Sequence, residues 1–377
     1  MNSTLTTLRV GYLPLTDAAS LVMASERGFD RQYGIRIELS RESSWANVRD
    51  KLRSGALEAA HALYGMVCGV ELGIGGQRQD MAVLMNLSRN GQAITLSQAL
   101  ALRGETDDIK RVQAMRSGGH AYTFAHTFPT GNHAMLLYYW LASLGVDPLR
   151  HVRTLTVPPP QMVASLRAGT IDGFCVGEPW GERAVQEGIG VTAVTSQQIW
   201  PDHPGKVLGA TAAWTDAHPE AARALVAAVL EAARWIDASE ANKRATAAVM
   251  AGAGLLATPV ETITPRLLGH YDDGRGKHWE DPNALAFFRQ GEVNFPYLSD
   301  AMWFMTQHRR WGLLREDPDY AGAAARLCRI DLYREAAQVA GVAAPVASLR
   351  SAVLCDGSVW DGSDPAGYAA SFAIHGR

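Results

Sequence analysis

The chain has 377 residues, 47% of them hydrophobic and 19% charged, and a formal net charge of −3. This is a globular composition with length enough for two lobes. Both charge signs are interspersed, which excludes nucleic acid and an anionic membrane surface as direct partners. The longest apolar run, HAMLLYYWLASLG, is broken by His and Ser and is too short to span a bilayer.

The first ninety residues read as alternating strand and helix. LRVGYLPL is a strand, Asp17 has the position and chemistry of a helix N-cap, and Gly28 suits the end of that helix. IRIEL is the next strand, SWANVRDKLRSG a helix with Trp45 at its start, and ALEAAHAL a third strand. Such alternation implies a parallel sheet covered on both faces. In NLSRNGQAITLS, Asn90-Gly91 is a turn and Gln92 begins a strand, where an isolated glutamine normally meets solvent.

TFAHTFPTGNHAMLLYYW sets Thr127, Thr130, Gly131, Asn132 and His133 where an apolar helix begins. Free N–H groups and the positive dipole end make a helix start an anion site. Read plainly, the same residues are an N-cap and an ordinary first turn. VPPPQM starts another helix, and TIDGFCVGEPWGE runs a strand into Gly177, whose missing side chain permits close approach to the backbone. Lys206 in HPGKVLG precedes an apolar strand, a place where lysines are usually solvated.

Leu52–Ala60 (LRSGALEAA) and Leu166–Phe174 (LRAGTIDGF) echo one another as helix end, glycine, acidic residue and strand start. A repeat of this step predicts two similar α/β lobes facing across a cleft at the carboxyl ends of their strands. Beyond residue 210 the sequence turns alanine-rich and helical, with Pro219 near a helix start, and the Trp303–Trp311 cluster has the spacing of a helix packed on a lobe. The final GSVWDGSDPAGYAASFAIHGR is expected to be loosely held. Cys68, Cys175, Cys328 and Cys355 show no CxxC and no metal-ligand spacing, and no Walker, GxGxxG, GxSxG or HExxH pattern occurs. No metal or cofactor is expected.

Together the blocks GYLPLTDAASLVMASERG, WANVRDKLRSGALEAAHAL, NGQAITLS, FPTGNHAMLLYYWLASLGVDP, VPPPQMVASLRAGTIDGFCVGEPW, DHPGKVLG and WFMTQHRRWG resemble the nitrate- and bicarbonate-binding proteins of cyanobacterial ABC transporters. They are similar also to the related NasS-type nitrate/nitrite sensors. The resemblance implies a two-lobed α/β fold of the periplasmic-binding-protein type, a C-clamp closing on one small anion. It implies residues 8–97 as the first part of lobe 1, 98–206 as lobe 2, and 207–377 as a return to lobe 1 with a C-terminal helical region. It carries five anion contacts onto this chain: Trp45, Gln92, His133, Gly177 and Lys206.

Nitrate offers three acceptor oxygens and no proton, so donors alone suit it, and Lys206 is expected to neutralise its buried charge. Bicarbonate needs an acceptor, and its binders tend to recruit a carboxylate and a metal. Thiamine-pyrimidine synthases share the architecture, but their cysteine-rich iron-binding pattern has no counterpart here, so a non-enzymatic role is expected. Seven residues precede the first strand, with no basic segment, apolar run or small-residue cleavage site. The expectation is therefore a cytoplasmic sensor that holds an ANTAR-type RNA-binding antiterminator (NasT) and releases it when nitrate or nitrite binds. The alternative is the receptor of a nitrate or bicarbonate importer.

Overall fold

A computed structural model of the chain describes residues 5–103 and 121–376. The first sheet contains β1 (Thr6–Tyr12), β2 (Ile35–Arg41), β3 (Ala59–Ala62), β4 (Met81–Arg89) and, from far downstream, β10 (Pro204–Thr211). Their order is β2-β1-β3-β10-β4, with β10 antiparallel to both neighbours. The second sheet contains β5 (Gln92–Ser97), β6 (Thr123–His126), β7 (Arg153–Thr156), β8 (Gly173–Gly177) and β9 (Gly190–Thr195). Its order, β7-β6-β8-β5-β9, repeats the first with β5 as the antiparallel strand.

Each sheet is thus mixed rather than wholly parallel, because each accepts one strand from the crossing between lobes. The chain crosses at Asn90-Gly91 and returns near His203. Gln92–Ser97 belongs to the second sheet and Pro204–Lys206 to the first, a shift of several residues from the expected boundaries at 97 and 206. The two-lobed α/β architecture itself is present. The echoed segments hold equivalent places: the helices Trp45–Arg53 and Met162–Arg167 lead, through Gly55 (φ +73°) and Gly169 (φ +68°), into β3 and β8, third in their sheets. Those left-handed turns favour glycine because a β-carbon would crowd the backbone.

The helix Pro219–Asp237 starts on a proline and buries Leu225, Val226, Val229, Leu230 and Ile236 against lobe 1. The helix Leu298–Arg310 lies against both lobes, and fully buried Trp303 packs 4.4 Å from Trp200 and 5.8 Å from Tyr139, ring centre to ring centre. The final segment is held, contrary to its composition. Trp360 Nε1 donates to the Ser299 carbonyl (3.0 Å), the Arg310 guanidinium lies 3.6 Å from the Phe372 ring centre, and Gly376 N–H donates to the Arg310 carbonyl at 2.7 Å. All four cysteines are unbridged, and all but Cys355 are buried.

The lobes meet tightly along the helix Tyr64–Glu71. A β-carbon on Gly65 would lie 2.2 Å from the Thr130 carbonyl oxygen, and one on Gly69 would lie 2.9 Å from Thr130 Oγ1. Backbone oxygen cannot yield as a side chain can, so Gly65→Ala must push lobe 2 outward. The expected result is a loss of about 1–3 kcal/mol of stability with a larger radius of gyration in small-angle scattering. Unchanged scattering and stability would contradict this close seam.

Candidate functional site

Asp17 organises the space between the lobes. It follows β1 as expected, but it caps no helix: residues Thr16–Ala18 form a short 3₁₀ turn and the next helix starts without a side-chain cap. Its carboxylate points inward, with Oδ2 accepting from Lys206 Nζ at 2.6 Å and Oδ1 from His61 Nε2 at 2.8 Å. The Leu13 N–H donates to His61 Nδ1 (3.4 Å), which assigns the ring proton to Nε2. Asp17, His61 and Lys206 are all buried. Burial by itself would raise the Asp17 carboxyl, but the Lys206 charge and the His61 hydrogen bond outweigh it and hold the group well below the usual carboxylate range. His61 is pushed down by burial, only partly offset by Asp17, and is neutral.

The second lobe meets this pair through bare backbone. Gly177 ends β8, and a β-carbon there would lie 3.1 Å from Asp17 Oδ2 and 3.6 Å from Lys206 Nζ. Gly177 is the sheet partner of Gln92, first residue of β5. The Gln92 backbone N–H donates to Ser196 Oγ, while both polar atoms of its side chain are buried without a partner. Trp45 opens its helix after the Ser44 N-cap, lies 5.3 Å from the His61 ring, and has a buried, unpartnered Nε1.

His133 stands in the first turn of the helix Asn132–Ser143, its Nδ1 2.6 Å from Thr127 Oγ1 and its Nε2 buried and unpartnered. Burial, then the nearby Lys206 charge, push it far below the ordinary histidine value. Asn132 does not cap this helix; Gly131 takes that position. The Asn132 side chain instead accepts from Gly65 N–H and donates to the carbonyls of Pro204 and Gly205.

All five residues expected from the sequence are therefore buried. Trp45, Gln92, Gly177 and Lys206 are linked around Asp17 and His61, and His133 lies within electrostatic reach of Lys206 and Asp17. Lys206 departs from expectation in one respect: its charge is already paired. The members not expected from the sequence are His61 and, in this role, Asp17; Thr127 stands at the helix start where the sequence sets it. For His61 the sequence does hold a signal, a lone histidine inside an otherwise apolar strand.

The arrangement presents N–H donors, with a lysine among them. Cys175 lies two positions before Gly177 on β8. Burial pushes its thiol up to about 12 despite the Lys206 charge, so it is protonated and no nucleophile. Among the described residues, no three His, Cys, Asp or Glu side chains gather in a metal-binding arrangement. A cavity of about 460 Å³ borders the site between the lobes, lined by Trp45, Arg49, Thr127, Phe128, Thr130 and Leu313 among others. It shares Trp45 and Thr127 with the site.

Comparison with known proteins agrees with the two-lobed α/β fold. Residues 2–251 match the model of the NMT1-like family. The nitrate/nitrite binding protein NrtA of Synechocystis is 36% identical over 98% of this chain and 85% of its own length. The chain belongs to the NMT1-like family. The bicarbonate-binding protein CmpA of Synechococcus elongatus is 32% identical over 98% of this chain and 87% of its own length. The Synechocystis nitrate import ATP-binding protein NrtC is 36% identical, but the chain spans only 55% of it. In three dimensions, the crystal structure of periplasmic nitrate-binding NrtA from Synechocystis superposes with a TM-score of 0.93, covering 98% of this chain and 99% of that one at 35% identity. NrtA and CmpA are both binding proteins by name.

Burial sets a pH limit on this family member. His126 and His308 are lowered to about 4 and His203 to about 3, all by burial, and His61 and His133 are lowered too. Folded values below the unfolded one of about 6.5 mean that stability is complete above that pH and falls as the pH drops towards about 4. Each neutral histidine contributes at most about 1.4 kcal/mol per pH unit in that window. Chemical denaturation at pH 7.5 and 5 is expected to show a clearly lower midpoint at pH 5; equal midpoints would contradict the burial of neutral rings.

Proposed function

We propose that the chain binds nitrate or nitrite between its lobes, through Trp45, Gln92, His133, Gly177 and Lys206, without catalysis. The observation that carries this reading is the set of buried side-chain groups without protein partners, Trp45 Nε1, Gln92 Nε2 and His133 Nε2, beside the Lys206 ammonium. Buried donors are rarely left unpaired, and a small planar anion with three acceptor oxygens would satisfy them together. The names of the NrtA relatives support the same ligand class.

In the finer reading the protein is a cytoplasmic sensor that holds an ANTAR-type antiterminator (NasT-like) and releases it on anion binding. Its support is the resemblance of the sequence blocks to NasS-type sensors. The receptor of a nitrate or bicarbonate importer is the second reading, favoured by the names of the relatives. For a sensor, the anion must prefer one lobe arrangement and the partner the other.

Titration calorimetry with nitrate, nitrite and bicarbonate tests the ligand; binding of none would remove the proposal. Lys206→Ala is expected to weaken nitrate binding by roughly 100-fold or more. In a pull-down, the sensor reading expects wild type to release the antiterminator on adding nitrate, while Lys206→Ala holds it throughout. Absence of any complex, together with an export signal in the native gene, would decide for the receptor.

A further inference from the structure

We propose that Asp17 determines which anions the site accepts, by cancelling the Lys206 charge before any ligand arrives; this rests on the anion-binding reading above. Its carboxylate is fully buried, 2.6 Å from Lys206 Nζ and 2.8 Å from His61 Nε2, and it faces the Gly177 backbone. The other groups around it supply no surplus positive charge. His61 is neutral and donates its Nε2–H to Asp17, while burial holds His133 far below the ordinary histidine value and Thr127 engages its Nδ1. Behind Gly177, Glu178 and Glu182 share one buried Arg266, at 3.5 and 2.8 Å.

A monovalent anion therefore adds one uncompensated negative charge to this enclosed space, and a divalent one adds two. The cost of burying charge rises steeply with its magnitude, so the second unit is far harder to accommodate than the first. The site thus selects monoanions by charge as well as by shape. Were Asp17 only a brace for Lys206, removing its charge would loosen the ammonium and weaken every anion alike.

Asp17→Asn keeps the side-chain shape and removes the charge. Calorimetry with nitrate and sulfate is expected to give, for the variant, a sulfate-to-nitrate affinity ratio raised roughly tenfold or more. An unchanged or lowered ratio overturns the proposal. Failure of the wild type to bind nitrate or nitrite sinks the anion-binding reading instead. If the variant does not fold, perchlorate and sulfate, alike in shape and different in charge, decide on wild type. Displacement of nitrate roughly tenfold more readily by perchlorate supports the proposal, and any other result overturns it.

Discussion

The geometry of the site depends on the buried ion pair between Asp17 and Lys206. These residues are 189 positions apart, one just past β1 and the other near the start of β10. A buried ion pair adds little net stability, because desolvation offsets most of its attraction, yet either partner alone would be very costly to bury. Neither residue can therefore be buried without the other. Their meeting holds the downstream strand β10 in register beside β3, the strand that carries His61.

The exchange of strands between lobes explains where the remaining groups stand. Gln92 is the first residue of the strand given to the second sheet, and Lys206 lies near the start of the strand given to the first. Gly177 ends β8, while Trp45 and His133 occupy first turns of helices. Element ends at a crossing expose polar backbone and side chains to one shared space, as at the switch points of open α/β sheets.

Strand-helix alternation and the LRSGALEAA/LRAGTIDGF echo make the two lobes legible from sequence. The sheet membership of β5 is not, because a strand's alternation does not say which sheet it joins. Gln92 and Lys206 look solvated in isolation; their burial depends on partners far away in the chain. Asp17 reads as an N-cap because its local sequence fits one, and tertiary pairing overrides that preference. The tail reads as loose from its small residues, yet a few contacts from Trp360, Phe372 and Gly376 hold it to the Leu298–Arg310 helix.

Lobe position and site geometry are mechanically joined. Asn132 immediately precedes His133, and Gly205 immediately precedes Lys206; the Asn132 side chain donates to the Gly205 carbonyl at 2.8 Å and to that of Pro204 at 3.2 Å. It also accepts from Gly65 N–H at 3.2 Å, on the helix whose glycines receive Thr130. Displacing lobe 2 must break these bonds or carry His133 away from Lys206. The contacts that close the lobes are thus one residue removed from His133 and Lys206, so lobe position and the spacing of those two side chains are coupled through adjacent peptide units rather than through a distant hinge.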